Sequence, residues 1–245
     1  MKIEVCADPE AAARRAAAAI AAEARAAVAA QGRFLLAVSG GRTPWIMLRA
    51  LAREDVPWAG VHVCQADERV APEGHPDRNL TQVRECLLQH APIRPEQLHA
   101  MPVEEGDLAV AASRYARTLE TLAGRPPIID LVHLGLGADG HTASLVPGDA
   151  VLDVTDADVA PTGFYQGRRR MTLTYPILNR ARRILWLVTG PDKASVLARL
   201  AAGDPAIPAG RVRSERAVVL ADTDAARGLQ PRSSRDTAPS RPTRE

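Results

Sequence analysis

Asp130-Leu-Val-His-Leu-Gly-Leu-Gly-Ala-Asp-Gly-His-Thr-Ala-Ser-Leu-Val-Pro-Gly148 is the stretch from which the rest of the chain can be read. The apolar run from Ile128 to Leu136 predicts a buried strand. It breaks into a glycine-rich turn that presents Asp139 and His141 at the strand's C-terminal end. In open α/β sheets ligands bind at that end, and a carboxylate beside an imidazole suits proton transfer. A lone loop histidine is more often one satisfied by neighbouring backbone. Here Gly135, Gly137 and Gly140 clear side chains from around both polar groups, so a substrate can approach. An unperturbed imidazole titrates at about pH 6.5 and can accept a proton from water in a cell. Asp139 would orient it or stabilise the imidazolium.

Working outward, apolar runs alternate with helical stretches. Residues 9–30 are Ala-rich and predict a helix, with Asp8 as N-cap, Pro9 at its first position and Gly32 ending it. Strands are expected at Phe34–Val38, Val61–Ala66, Leu98–Met101, Met171–Tyr175, Ile184–Thr189 and Val218–Ala221. Helices are expected from Thr43 or Pro44 to about Glu54, and over Asn79–His90, Asp107–Leu122 and Pro191–Ala202. Such alternation implies a mainly parallel sheet with helices on both faces, a Rossmann-like α/β class. Residues 1–226 read as one α/β domain. From Arg227 to Glu245, Pro, Ser, Arg and Thr dominate, which predicts a disordered tail.

Of the 245 residues 46% are hydrophobic but only 3% aromatic, so the core must be built from Ala, Val, Leu and Ile. The balance of 31 basic against 29 acidic residues argues against a nucleic-acid footprint. No CxxC pairing or metal-ligand spacing occurs among Cys6, Cys64 and Cys86. Charges interrupt the N-terminal Ala-rich run, so it does not read as a signal peptide, and no apolar stretch reaches the ~20 residues that span a bilayer. The expectation is a cytoplasmic protein, monomeric or a small homo-oligomer, that binds neither nucleic acid nor membrane.

Further loops offer binding chemistry. Ser39-Gly40-Gly41-Arg42-Thr43 joins a strand to a helix, and its backbone N–H groups with the helix N-terminus would suit a phosphate. Taken alone it is more simply an ordinary βα turn, and it is neither a Walker A loop nor a dinucleotide fingerprint. Asp67-Glu68-Arg69 alone would be a solvated corner. Arg168 and Arg169 read as a solvated face. Gly190-Pro-Asp-Lys193 opens a helix after an apolar strand.

Together these segments resemble the 6-phosphogluconolactonases, within the wider glucosamine-6-phosphate deaminase and ribose-5-phosphate isomerase type of fold. The Gly135–Gly148 stretch carries most of the likeness. Asp67-Glu-Arg69 with Pro72 and Asn79 is similar to a D-E-R-x-x-P motif followed by S-N, except that Arg78 replaces the serine and is expected to face water. Arg170 aligns with the arginine of R-x-T-L-T, and Lys193 with the lysine of G-x-x-K-A.

The resemblance implies hydrolysis of 6-phospho-D-glucono-1,5-lactone in the oxidative pentose phosphate pathway, with no metal and no organic cofactor. In that reading His141 is general base on water, Asp139 orients it, and Arg69 stabilises the oxyanion. Ser39, Gly40, Gly41, Arg42, Thr43, Asp67, Arg170 and Lys193 would hold the sugar phosphate. The nearest rival is a glucosamine-6-phosphate deaminase or isomerase, whose similar Asp-Gly-His loop is followed by an acidic residue in an F-N-E-P-like segment. Ala143-Ser-Leu-Val-Pro147 has no carboxylate there. A sugar-phosphate sensor would keep the cations and lose the base, yet both His141 and Asp139 are present.

Overall fold

Five consecutive buried residues, Phe34–Val38, form β2, an inner strand of the main sheet, and their side chains alternate between two cores. Phe34, Leu36 and Val38 point to one face, Leu35 and Ala37 to the other. A strand covered on both sides reads as an unbroken apolar run, which is why it was visible in sequence. The computed structural model describes residues 1–229.

Beside β2 the main sheet contains β1 (Lys2–Cys6), β3 (Val61–Gln65), β5 (Leu98–His99), β6 (Leu131–Leu134), β9 (Arg183–Val188) and β10 (Ala217–Asp222). Their order is β1-β10-β9-β6-β2-β3-β5, and every pairing is parallel. On one face lie α1 (Pro9–Gln31) and α2 (Arg42–Leu51). The opposite face carries α4 (Leu108–Ala123), α5 (Tyr175–Arg180) and α6 (Ala194–Ala201). The alanines of α1 (Ala12, Ala13, Ala16, Ala17, Ala21 and Ala24) are buried together with Ile20, so the helix backbone lies close to its neighbours.

The expected caps of α1 are present: the Asp8 carboxylate accepts from the Ala11 N–H at 2.6 Å, and Gly32 closes the helix in the left-handed region. Several elements differ from expectation. β1 and α5 were missed. The strand expected at Met171–Tyr175 is β8 (Arg170–Leu173), and Tyr175 instead begins α5. β8 belongs to a separate antiparallel sheet, between β7 (Val159–Pro161) and β4 (Asp67–Arg69). Asp67–Arg69 is therefore a strand and not a corner.

Arg78 does not face water: it is 1% exposed. Its Nε lies 3.2 Å from Glu68 Oε2, at an angle that makes an ion pair and not a hydrogen bond, and its Nη1 donates to the Ala71 carbonyl and to Glu104. Arg168 is likewise engaged, with Nε 2.7 Å from Asp77 Oδ2. After α7 (Thr223–Ala226), Leu229 packs against the core and Gly228 lies against the Ala194 carbonyl. The first three residues assigned to the tail thus belong to the folded body, and residues 230–245 lie outside those described.

The order in which successive strands are added reverses between β2 and β6, although all seven run parallel. From β2 the chain moves outward through β3 and β5, then returns beyond β2 to β6, β9 and β10. The loops leaving two such neighbours run to opposite faces of the sheet and open a crevice at the strands' C-terminal ends.

Candidate active site

The crevice receives the Ser39–Thr43 loop from β2 and the Gly135–His141 loop from β6, and it is a cleft of about 690 Å³. Ser39, Gly40, Gly41, Arg42, Thr43, Asp67, Arg69, His141, Arg170 and Lys193 all line it. Asp139 stands behind His141, with Oδ1 2.6 Å from Nδ1 of the ring. Every residue proposed from sequence is therefore in the cleft or in contact with a residue that is.

One tight, glycine-rich loop shapes the β6 end. The Gly137 N–H donates to the His141 carbonyl and the Gly140 N–H to the Gly137 carbonyl, closing a tight turn. A Cβ on Gly137 would overlap the His141 ring and the Asp139 carboxylate. Gly137→Ala is therefore expected to lower turnover roughly 10²-fold by displacing the pair, while the circular dichroism spectrum stays that of the wild type. A Gly137→Ala enzyme with normal kcat would mean that the pair's position does not matter.

Asp139 Oδ1 also accepts from the His141 backbone N–H at 3.1 Å, and Oδ2 accepts from the Tyr165 hydroxyl at 3.0 Å. Partial burial raises the Asp139 carboxyl pKa, but the hydrogen bonds and the charge of His141 outweigh it, and the net direction is down. An ionised Asp139 at Nδ1 assigns the proton to that nitrogen and leaves Nε2 with the free lone pair.

The phosphate-type loop is built as an open helix end. Gly41, at φ 135°, is the N-cap of α2, and no side chain caps the helix. Its first N–H groups and the helix dipole are left for an anion. Gly40 packs against the Asn79 side chain, where any Cβ would collide. The Ser39 N–H points to His133 Nδ1 at 3.4 Å, and burial pushes the His133 imidazole down to about 3, so it stays neutral beneath the loop. Thr43 Oγ1 lies 2.6 Å from Thr189 Oγ1 and ties the loop to the end of β9. Lys193, in the turn Pro191–Lys193, holds its Nζ 2.8 Å from Asp192. Asp222 anchors that turn by accepting from the Gly190 N–H.

The small sheet supplies the other cations. Arg69 and Arg170 are direct cross-strand partners, as are Asp67 and Thr172. Directly opposed residues share a face and stand about 5 Å apart at Cβ, where like charges repel. Burial, then the charge of Arg69, lowers the pKa of Arg170. Nε of each arginine and the Ser39 hydroxyl are buried without a protein partner, a pattern typical of functional sites. Asp67 is committed, accepting from Ser144 Oγ at 2.7 Å.

The profile of a family described as glucosamine-6-phosphate isomerases/6-phosphogluconolactonase matches residues 7–221. The chain belongs to that family. It is 36% identical over 235 residues to a 6-phosphogluconolactonase from a Nostoc species, covering 93% of this chain and 97% of that one. The crystal structure of 6-phosphogluconolactonase from Thermotoga maritima superposes with a TM-score of 0.80 at 26% identity, over 90% of this chain and 98% of the other. A monomeric glucosamine-6-phosphate deaminase superposes equally well, at a TM-score of 0.81 and 20% identity, over 93% and 100% of the two chains. Both branches of the glucosamine-6-phosphate isomerase/6-phosphogluconolactonase family thus share this fold, and side chains must separate them.

Tyr165 was not picked out from sequence. Besides its bond to Asp139, its hydroxyl is 3.3 Å from His141 Nδ1 and its ring lies under the Arg170 guanidinium at 4.9 Å. An aromatic between two glycines, in a chain with three tyrosines, was the available signal.

Proposed function

We propose that the chain hydrolyses 6-phospho-D-glucono-1,5-lactone to 6-phosphogluconate. The observation that carries this reading is the Asp139–His141 pair and the Arg69–Arg170 pair brought together at one cleft with an uncapped helix end. His141 Nε2 takes a proton from water as the water oxygen bonds to the lactone carbonyl carbon. Charge moves to the carbonyl oxygen, where Arg69 stabilises it. The tetrahedral intermediate then collapses, the bond from carbon to the ring oxygen breaks, and that oxygen takes the proton from the imidazolium. The acid forms and the ring opens. A lactone is an activated ester, so no covalent nucleophile is needed.

The 6-phosphate is held by the N–H groups at Gly40, Gly41 and the start of α2, with Ser39, Arg42, Thr43, Lys193 and Arg170. Asp67, an anion tied to Ser144, suits a sugar hydroxyl and not the phosphate. Separate roles for the two arginines predict separate kinetics. Arg69→Met lowers kcat by roughly 10²-fold, as losing one oxyanion donor does. Arg170→Met instead raises KM by roughly tenfold. Equal effects on both constants in steady-state assays would reject the division.

No acidic side chain follows His141 before Pro147, and the carboxylates lining the cleft are Glu10, Asp67 and Asp192. This favours lactone hydrolysis over amino-sugar ring opening. The test is lactone loss against its spontaneous rate with the purified protein. Release of ammonia from glucosamine 6-phosphate, with lactone decaying only spontaneously, would place the chain in the other branch.

A further inference from the structure

Tyr165 lies on the hairpin between β7 and β8. That hairpin is closed by reciprocal backbone hydrogen bonds between Tyr165 and Arg168, and turned by Gln166 and Gly167, both at positive φ. Arg168 pins the hairpin to Asp77, beyond β4. Phe164 faces solvent at 78% exposure, whereas Tyr165 turns inward. There one side chain touches three members of the site. Its hydroxyl donates to Asp139 Oδ2, its ring meets His141 edge-on at 5.3 Å between centroids, and its face supports Arg170.

We infer that Tyr165 is a positioning residue that joins the two halves of the site, its hydroxyl fixing the carboxylate that orients His141 and its ring fixing Arg170. The inference rests on the hydrolytic reading above and deepens it. Asp139 is over one-third exposed, and both bonds from His141 go to Oδ1. Without the phenol, Oδ2 would meet only water and the carboxylate would be free to turn. With it, both oxygens are bonded inside the protein, as in sites where an outer partner orients a histidine. Burial, then the bond to Asp139, pushes the Tyr165 hydroxyl above its ordinary range, so it remains a donor at neutral pH. The ring adds a cation–π contact at Arg170, whose own charge is opposed by Arg69.

The two functions separate by substitution. Tyr165→Phe keeps the ring and removes the hydroxyl; Tyr165→Leu removes both. In Tyr165→Phe, kcat is expected to fall roughly tenfold, while the dissociation constant of 6-phosphogluconate, measured by calorimetry, stays within about twofold. Loss of the donor concentrates charge on Asp139, which favours the imidazolium. The acid limb of kcat/KM therefore moves to higher pH, by roughly half a unit. The other charged groups lining the cleft with His141 (Glu10, Arg42, Asp67, Arg69, Arg170, Asp192 and Lys193) are unchanged in the variant. Tyr165→Leu is expected to show the same kcat loss and also to bind the product roughly five- to tenfold more weakly.

Thermal midpoints recorded alongside separate these effects from unfolding. Wild-type kcat and an unmoved acid limb in Tyr165→Phe overturn the hydroxyl's role. Product binding as tight as wild type in Tyr165→Leu overturns the ring's. A wild type no faster than spontaneous hydrolysis overturns the reaction itself, and the product-binding comparison still decides the role of the ring.

Discussion

His141→Ala should lower kcat for the lactone by roughly 10²–10⁴-fold, the span that general-base assistance supplies. The side chain is partly exposed at the cleft wall, where it meets Tyr165, the Asp139 carboxylate and the backbone of Gly137, so its loss should cost little stability. The arginines, the open end of α2 and Lys193 remain, so the variant should still bind 6-phosphogluconate. Binding without turnover is the expected signature. Residual activity should rise with pH as hydroxide replaces the assisted water. The low Asp139 pKa means that this carboxylate stays charged across the range in which histidines titrate, so the wild-type acid limb should report a single ionisation. A variant with undiminished kcat would remove His141 from the chemistry and leave the cleft a binding site only.

The largest expected effect on stability lies one layer behind the site, at Glu68. This side chain is fully buried and accepts from the backbone N–H groups of Arg69, Asn79 and Leu80 at 2.7–2.8 Å. It also accepts from Gln65 Nε2 at 2.7 Å and faces Arg78 at 3.2 Å. Glu68→Ala strands four donors, three backbone N–H groups and Gln65 Nε2, and leaves the buried Arg78 with Glu104, whose side chain is half exposed. Breaking a buried pair from one side typically costs about 3–5 kcal/mol, so in a chain of this size the melting midpoint should fall by roughly 6–20 °C. Activity should fall with it, because α3 (Asn79–Val83) and the Asn79 side chain beneath Gly40 depend on the same carboxylate. Urea denaturation measures the loss directly. A change below about 1 kcal/mol would show that water replaces the carboxylate at no cost.

What sequence can and cannot tell is plain from these two residues. His141 and Asp139 were legible because a glycine-rich turn at the end of an apolar strand admits few readings. The parallel strands and α1 were legible for similar reasons, since apolar runs and caps are local signals. Asp67–Arg69 has no apolar residue and is a strand only because β8 pairs with it. Arg78 looked like a surface residue because charge normally means water. Its burial follows from Glu68 and Glu104, the latter 26 residues away, and no local pattern announces such partners. Tyr165 was missed for the same reason: its meaning comes from Asp139 and Arg170, which reach it only in the folded chain.

The ladder between β4 and β8 makes the site sensitive to length as well as to chemistry. Arg69 meets Arg170 and Glu68 meets Met171, so neighbouring residues serve opposite faces. Sliding β8 by one position would turn Met171 toward the cleft and the Arg170 guanidinium toward the core; sliding β4 would do the same with Glu68 and Arg69. Insertions or deletions of one residue beside β8 should therefore be tolerated far less than substitutions within it, and two-residue changes, which restore the face, less badly than one.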